Sequence, residues 1–533
     1  MNALKPLTVN VAINRNVNKM KLKARLLDIQ AGGRRIAILD DETASLLGLH
    51  SSDRVRIRHG NKQIVAIVNI ASNFSRKHIG LYRETSKMLG IKQDEVLDVE
   101  HALIPESLSY VQAKIQGERL QENKIKAIVR DVVEHHLSDA EIAAFLTALH
   151  AHGLNMTEIE ALSKAMVETG CTLKLDKKPI LDKHSIGGIP GDKTTILIVP
   201  IIAAAGFTIP KTSSRAVTSP AGTADRVENI CPVNLTIDEI TEVVNKTNGC
   251  MVWGGALELA PADDLFIQVE YSLGIDPLLL PSIMSKKKAI GATHVVIDIP
   301  TGRGAKIKTI GEAHALAYDF IELGKRLELN IQCAITFGEQ PLGYAVGPGL
   351  EAREALETIM GNGPVDLKEK ATDLAGILFE MFSAGDGKQK AERILNSGKA
   401  ERKLREIIEA QGGNPRIKPD DITIGDKKVE IAAEKDGMIL WINNQYIAQI
   451  AREAGAPKEK GAGVKLKAKQ GDLVRKNNVL FEIYAERNTK LETAEKLARR
   501  LKPIGVGKKW EEQMLMDRIP TRMLHRKAFT IDR

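Results

Sequence analysis

Residues 181–195 read LDKHSIGGIPGDKTT and run directly into the apolar segment ILIVPIIAAA at 196–205. No other stretch restricts the fold and chemistry of this chain so narrowly. Glycines at 187, 188 and 191 open backbone angles closed to other residues, so main-chain N–H groups can converge on an anion. Lys183 adds charge and Ser185 a hydroxyl. The apolar run predicts a helix whose N-terminus directs partial positive charge at the same spot, and Pro200, five residues in, predicts a kink. The loop matches neither G-x-x-x-x-G-K-[ST] nor G-x-G-x-x-G, which leaves a nucleotide-hydrolase or Rossmann reading without support. A second glycine-, serine- and threonine-rich stretch, IPKTSSRAVTSPAGTADRVE at 209–228, follows after a short apolar segment. Together they predict two walls of one site; the plainer alternative is two ordinary strand-to-helix turns of an α/β domain.

At 533 residues the chain exceeds what one core supports, and three or four domains are expected. Its net charge of +8 comes from 76 basic and 68 acidic residues intermixed, and only 4% of residues are aromatic. A nucleic-acid surface is therefore unsupported, whereas an anionic small substrate accounts for the local lysines. Cys171, Cys231, Cys250 and Cys333 are widely spaced, as reduced thiols of a cytoplasmic protein are, and no metal-ligand spacing occurs. Neither a signal-peptide core nor a run of 18 apolar residues is present, so no membrane association is expected.

Residues 1–103 are rich in strand-forming segments and contain a weak repeat: ETASLLGL at 42–49 recurs as ETSKMLGI at 84–91. A duplicated strand–helix–strand unit predicts a small pseudo-symmetric barrel, each half closing the other's open edge. Residues 104–178 change to helical spacing, with N-cap signals at Ser138 and Asn155. Residues 179–411 alternate short apolar strands and helices before ending in helices, the pattern of a central α/β domain that binds ligands at the carboxyl ends of its strands. Residues 412–505 predict a smaller C-terminal α/β domain, and 506–533 a charged tail. The fold class is thus multidomain α/β: an N-terminal barrel-like domain, a helical domain, the central domain and the C-terminal one.

The order helical hairpins, D-K-H-S-x-G-G, apolar helix, I-P-K-x-S-S-R…A-G-T-A-D, then S-I-M-S-K-K resembles the thymidine phosphorylase superfamily. It is most similar to the archaeal AMP phosphorylases, which carry an extra N-terminal domain. The resemblance spans about residues 20–505. It implies phosphorolysis of AMP by orthophosphate to adenine and ribose 1,5-bisphosphate, with CMP or UMP as further substrates, in a salvage route that feeds a Rubisco. It also implies a homodimer or larger homo-oligomer and no cofactor, orthophosphate being a co-substrate. By position, Gly188, Ser214, Arg215, Ala216, Val217, Thr218, Ser219, Thr223, Ser282 and Lys306 match the family's AMP-binding residues. Lys183, Ser185, Thr195, Ser213 and Thr223 match orthophosphate-binding positions, so Thr223 falls in both sets. Asp276 matches a proton donor, and desolvation by Leu278, Leu279 and Leu280 is expected to raise its pKa. His184, which matches the catalytic histidine of thymidine phosphorylases, is the alternative acid.

Two departures qualify the resemblance. Lys286 fits the base-reading lysine of the thymidine enzymes, but Val269-Glu270-Tyr271 stands where they have an arginine. Asp276 and Ser282 are also closer in sequence than the family pattern implies. The competing expectations are a pyrimidine nucleoside phosphorylase, an anthranilate phosphoribosyltransferase needing Mg²⁺ and pyrophosphate, and a nucleotide-binding regulator that uses the barrel for docking. Arg215 and Lys306 are the residues expected to separate a nucleotide from a nucleoside.

Overall fold

A computed structural model describes residues 19–216, 219–382 and 385–508. Val217, Thr218 and the chain beyond Lys508, all named above, lie outside the described residues.

Six strands, β1 (Lys19–Leu26), β2 (Ile36–Leu39), β3 (Arg54–His59), β4 (Lys62–Ile70), β5 (His78–Leu81) and β6 (Val96–His101), close into a barrel in the order β1-β5-β2-β4-β3-β6. Helix α1 (Asp41–Leu47) joins β2 to β3 and α2 (Arg83–Leu89) joins β5 to β6, so the sequence repeat is a structural one. The halves interlock: β1 pairs in parallel with β5, and β2 with β4. Each half supplies the partner that the other's strand edge lacks. Alternate residues such as Leu22, Ala24, Val55, Ile57, Leu97 and Val99 fill the interior. Arg54 anchors the barrel to the helical layer, its Nε donating to the His136 carbonyl at 2.8 Å and its guanidinium pairing with Glu141.

The helices Ser107–Ile115, Glu122–Val133, Asp139–His152 and Met156–Glu168 form that layer. Capping boxes begin the last two, Ser138 with Glu141 and Asn155 with Glu158. The helix Pro261–Leu273 joins the same core although it lies within the segment read as central domain: Phe266 packs on Phe145 with ring centroids 6.2 Å apart, and Leu278 is buried beside them. Its apolar face matches that of the bundle, and burial has no regard for chain order.

In the central domain, parallel strands Asn330–Phe337, His294–Thr301 and Leu181–Ser185 adjoin one another, and Ile209–Ser213 pairs with Gly249–Trp253. A single bridge between Ile180 and Thr208 links the two sets. The helix Thr194–Ala204 runs behind them, buried from Thr194 to Ala203. Pro200, expected to kink it, sits inside the helix without ending it; close packing on all sides offsets the one hydrogen bond proline forfeits.

The C-terminal domain has two small sheets and the helices Asn444–Glu453 and Asn488–Leu501. One sheet borrows Ala345–Val346 from the central segment, paired with Gly463–Leu466. In the other, strand Ile504–Gly507 pairs with Gly437–Ile442, so the first residues assigned to a charged tail belong to a strand. No helix among the described residues is long and apolar enough to cross a membrane.

Candidate active site

Both glycine-rich stretches leave the carboxyl ends of adjacent strands, the first after Ser185 and the second after Ser213. At Gly188, φ is +95° and a Cβ would stand 2.6 Å from the backbone nitrogen of Lys306, so glycine alone lets these two loops touch. At Gly222 a Cβ would lie 2.5 Å from the Arg215 carbonyl carbon, which shows how tightly the second loop folds on itself. Arg226 fastens the walls together. Its guanidinium donates to the Asp192 carbonyl at 2.7 Å and the Ala221 carbonyl at 2.8 Å, and it meets the buried Glu351 at 2.5 Å.

Between the walls lies a cavity of about 160 Å³. Of the residues expected in the site, Lys183, His184, Ser185, Gly188, Thr195, Ser213, Ser214, Ser219 and Thr223 line it. Lys183 Nζ donates to Thr194 Oγ1 at 2.8 Å and lies 3.6 Å from Asp192 and 4.0 Å from Asp298. Lys370 pairs with Asp298 at 2.8 Å; Lys287 and Lys211 stand 2.6 Å and 3.6 Å from Asp182. Four buried lysines thus face three aspartates, a surplus of positive charge whenever Lys211 is protonated, which suits an anion.

Burial, followed by that charge, governs the neighbouring titrations. Burial, then the charges of Lys287, Lys211, Lys183 and Lys286, hold His184 well below the usual histidine range. It is a neutral imidazole near neutral pH, able to donate a hydrogen bond but with no imidazolium proton to give. Burial also pushes Lys211 down to about 7, with Asp182 opposing and Lys287 and Lys183 reinforcing the shift.

The other expected contacts stand apart from this cavity or serve in its walls. Arg215 is tied to Glu228 at 2.7 and 3.0 Å and Asp225 at 3.2 Å, and stacks over Trp253 at 4.9 Å. Its charge is spent on shaping the second loop. Ala216 contributes a backbone N–H to Asp225 at 2.7 Å. Across the cleft, Ser282 donates to Asp263 at 2.9 Å, and Lys286 pairs with the same carboxylate at 2.5 Å. Asp276 is 47% exposed, with Oδ2 3.0 Å from Lys306 Nζ. The desolvation expected around it is absent, because Leu278 is buried in the helical core while Leu279 and Leu280 pack against the sheet.

Three groups escaped the sequence reading. Lys211 lines the small cavity; its place in I-P-K, one strand over from Lys183, was the available signal. Glu270 is buried, with Oε1 unpartnered among the described residues, and burial followed by the charges of Asp276 and Asp263 pushes its carboxyl up to about 8. The helix Asn444–Glu453 lines a second, larger cavity of about 570 Å³ that shares Gly188, Ile189 and Ser219 with the first and includes Lys306. No local pattern announced it, because the surface it faces comes from residues more than a hundred positions away.

A helical bundle joined to an α/β domain with a cationic cavity at the carboxyl ends of parallel strands fits the two-domain description of a glycosyl transferase family. The helical bundle domain of that family matches residues 108–170 and its a/b domain residues 177–401, while the pyrimidine nucleoside phosphorylase C-terminal domain matches 438–504. Over 94% of its length the chain is 49% identical to the AMP phosphorylase of Thermofilum pendens and 51% identical to that of Thermococcus kodakarensis, covering 98% and 99% of those proteins. The AMP phosphorylase of Methanocaldococcus jannaschii is 46% identical over 93% of this chain and 99% of its own. The chain belongs to the AMP phosphorylase family. Among solved structures, the anthranilate phosphoribosyltransferase of Thermus thermophilus aligns with 57% of this chain and 99% of its own at a TM-score of 0.49 and 21% identity.

Proposed function

We propose that this protein catalyses phosphorolysis of AMP. An orthophosphate oxygen bonds to C1′ of the ribose as the C1′–N9 bond breaks; the bonding pair leaves with adenine, which takes a proton, and ribose 1,5-bisphosphate remains. The observation that carries this reading is the cationic cavity between the two glycine-rich loops, where Lys183, Ser185, Thr195, Ser213 and Thr223 surround a volume suited to one phosphate. Fixed charges and N–H groups there are preorganised for the attacking anion and for the charge dispersed in an oxocarbenium-like transition state.

Asp276 is the proton donor on this reading; its pairing with Lys306 must open before the carboxyl can carry a proton, and neutral His184 donates a hydrogen bond. Gly188, Ser214, Arg215, Ala216, Ser219, Thr223, Ser282 and Lys306 hold the nucleotide or shape the loops that do. CMP and UMP are further substrates, and the product enters nucleotide salvage in the cytoplasm. The protein works as a homodimer or larger oligomer to which the barrel contributes.

Chromatography and phosphorus NMR of the purified protein with AMP and orthophosphate test the reaction. Phosphate-dependent release of adenine with a new bisphosphate is the expected result. No adenine from AMP, with thymine freed from thymidine, would favour the pyrimidine nucleoside reading instead. Light scattering of a chain lacking residues 1–95 tests the barrel's role, and an unchanged oligomer would refute it.

A further inference from the structure

The larger cavity has one wall from the central domain, Gly188 to Pro190 with Ser219 and the Gly304–Lys306 loop, and one from the C-terminal helix Asn444–Glu453. Its volume of about 570 Å³ falls within the roughly 300–1,000 Å³ range of small-molecule sites. Arg452 and Lys306 line it from its two walls; no carboxylate is among the lining residues, and Lys306 is held from outside by Asp276 at 3.0 Å. Arg452 is exposed, and no ion pair or hydrogen bond of its guanidinium occurs among the described residues. Arg215, by contrast, is held by two carboxylates. A free cation in a cavity with no acidic wall is a place for an anion.

Two further features point the same way. Gln445, Ala448, Gln449 and Arg452 recur at helical spacing, so one face of the helix fronts the cavity. Asn444, 1% exposed, donates its Nδ2 to the Gly338 carbonyl at 2.8 Å, which fixes the helix to the end of strand Asn330–Phe337; its Oδ1 has no partner among the described residues. That oxygen is an unsatisfied acceptor on a residue of the cavity lining.

We propose that Arg452, with Gln449 beside it on the same helix face and Lys306 on the other wall, grips the 5′-phosphate of the nucleotide, so that the C-terminal domain makes the enzyme prefer a nucleoside monophosphate to a nucleoside. The inference rests on the reaction proposed above and assigns its specificity to a domain outside the phosphate-binding loops. The two cavities meet at Gly188 and Ser219. An orthophosphate in the smaller and a phosphomonoester in the larger would flank a ribose spanning that junction.

The test compares the full-length protein with Arg452→Gln and Arg452→Lys, using AMP and adenosine as substrates. Arg452→Gln is expected to raise the KM for AMP and to cut the AMP-over-adenosine ratio of kcat/KM by about 10- to 100-fold, the worth of a charge-assisted hydrogen bond. Arg452→Lys should recover part of that ratio. Circular dichroism and Tm confirm that the variants fold. A KM for AMP that does not move, or an equal loss with both substrates, would overturn the proposal. Should the wild-type protein release no adenine from AMP, the proposed reaction fails, but calorimetric titration with AMP and adenosine still decides this site. Preference for AMP that is lost in Arg452→Gln upholds it, and equal binding of the two ligands sinks it.

Discussion

Lys306 Nζ lies 3.0 Å from Asp276 Oδ2, and this contact joins the loop after strand His294–Thr301 to the loop between helices Pro261–Leu273 and Leu279–Ala289. The sheet side of the cleft and its helical side meet there. Both side chains are nearly half exposed, so the pair contributes at most about 1 kcal/mol. A weak latch is what a cleft that admits and releases substrate can tolerate.

Asp276→Asn is expected to lower kcat for adenine release by about 100-fold or more, the usual worth of a general acid. His184→Gln should cost less, because a neutral imidazole contributes only a hydrogen bond and glutamine keeps a donor. Steady-state kinetics at saturating AMP and phosphate measure both. The reverse ranking would transfer the acid role to His184.

Lys211, pushed down to about 7 by burial, loses its proton in the empty site as pH rises through neutrality. An incoming phosphate dianion restores the charge by favouring the ammonium form. Phosphate binding should therefore take up a proton and weaken as pH climbs above about 7. Lys211→Met should raise the KM for phosphate by roughly tenfold or more and flatten that pH dependence. Initial rates at varied phosphate between pH 6 and pH 9 provide the measurement.

Burial, then the charges of Asp276 and Asp263, push Glu270 up to about 8 in the folded protein, against about 4.3 for an unperturbed glutamate. Between those values the folded chain keeps a proton that the unfolded chain has lost. Stability therefore falls as pH rises through that window and levels off above it. Glu270→Gln removes the titration, so the variant's advantage in Tm over the wild type should widen from pH 5 to pH 8. Parallel melting curves at those two pH values show it, and a constant difference would refute it.

Arg226→Met leaves Glu351 buried without its cation and removes the donors that hold the Asp192 and Ala221 carbonyls. A loss of about 3–5 kcal/mol is expected, read as a lower midpoint in denaturant titration. Phosphate affinity should fall as well, since the two loops lose their common fastener.

Much of this molecule is legible in the order of its residues. The repeat at 42–49 and 84–91 announced a barrel of two interlocked halves, because such short elements close their edges only by pairing with a copy. Both glycine-rich loops were visible because glycine, lysine and serine at close spacing have a local reason to be there. Capping boxes at Ser138 and Asn155 are equally local. Tertiary structure decided what depends on partners distant in the chain. It gave Arg215 to Glu228 and Asp225, and it buried Lys211 and Glu270 far enough to move their titrations. It also placed Pro261–Leu273 in the helical core and brought Arg452 and Lys306 to the two walls of one cavity. Charge and burial are properties of surroundings: a sequence names the group that can ionise, but the folded neighbours determine whether its charge stays free for a ligand.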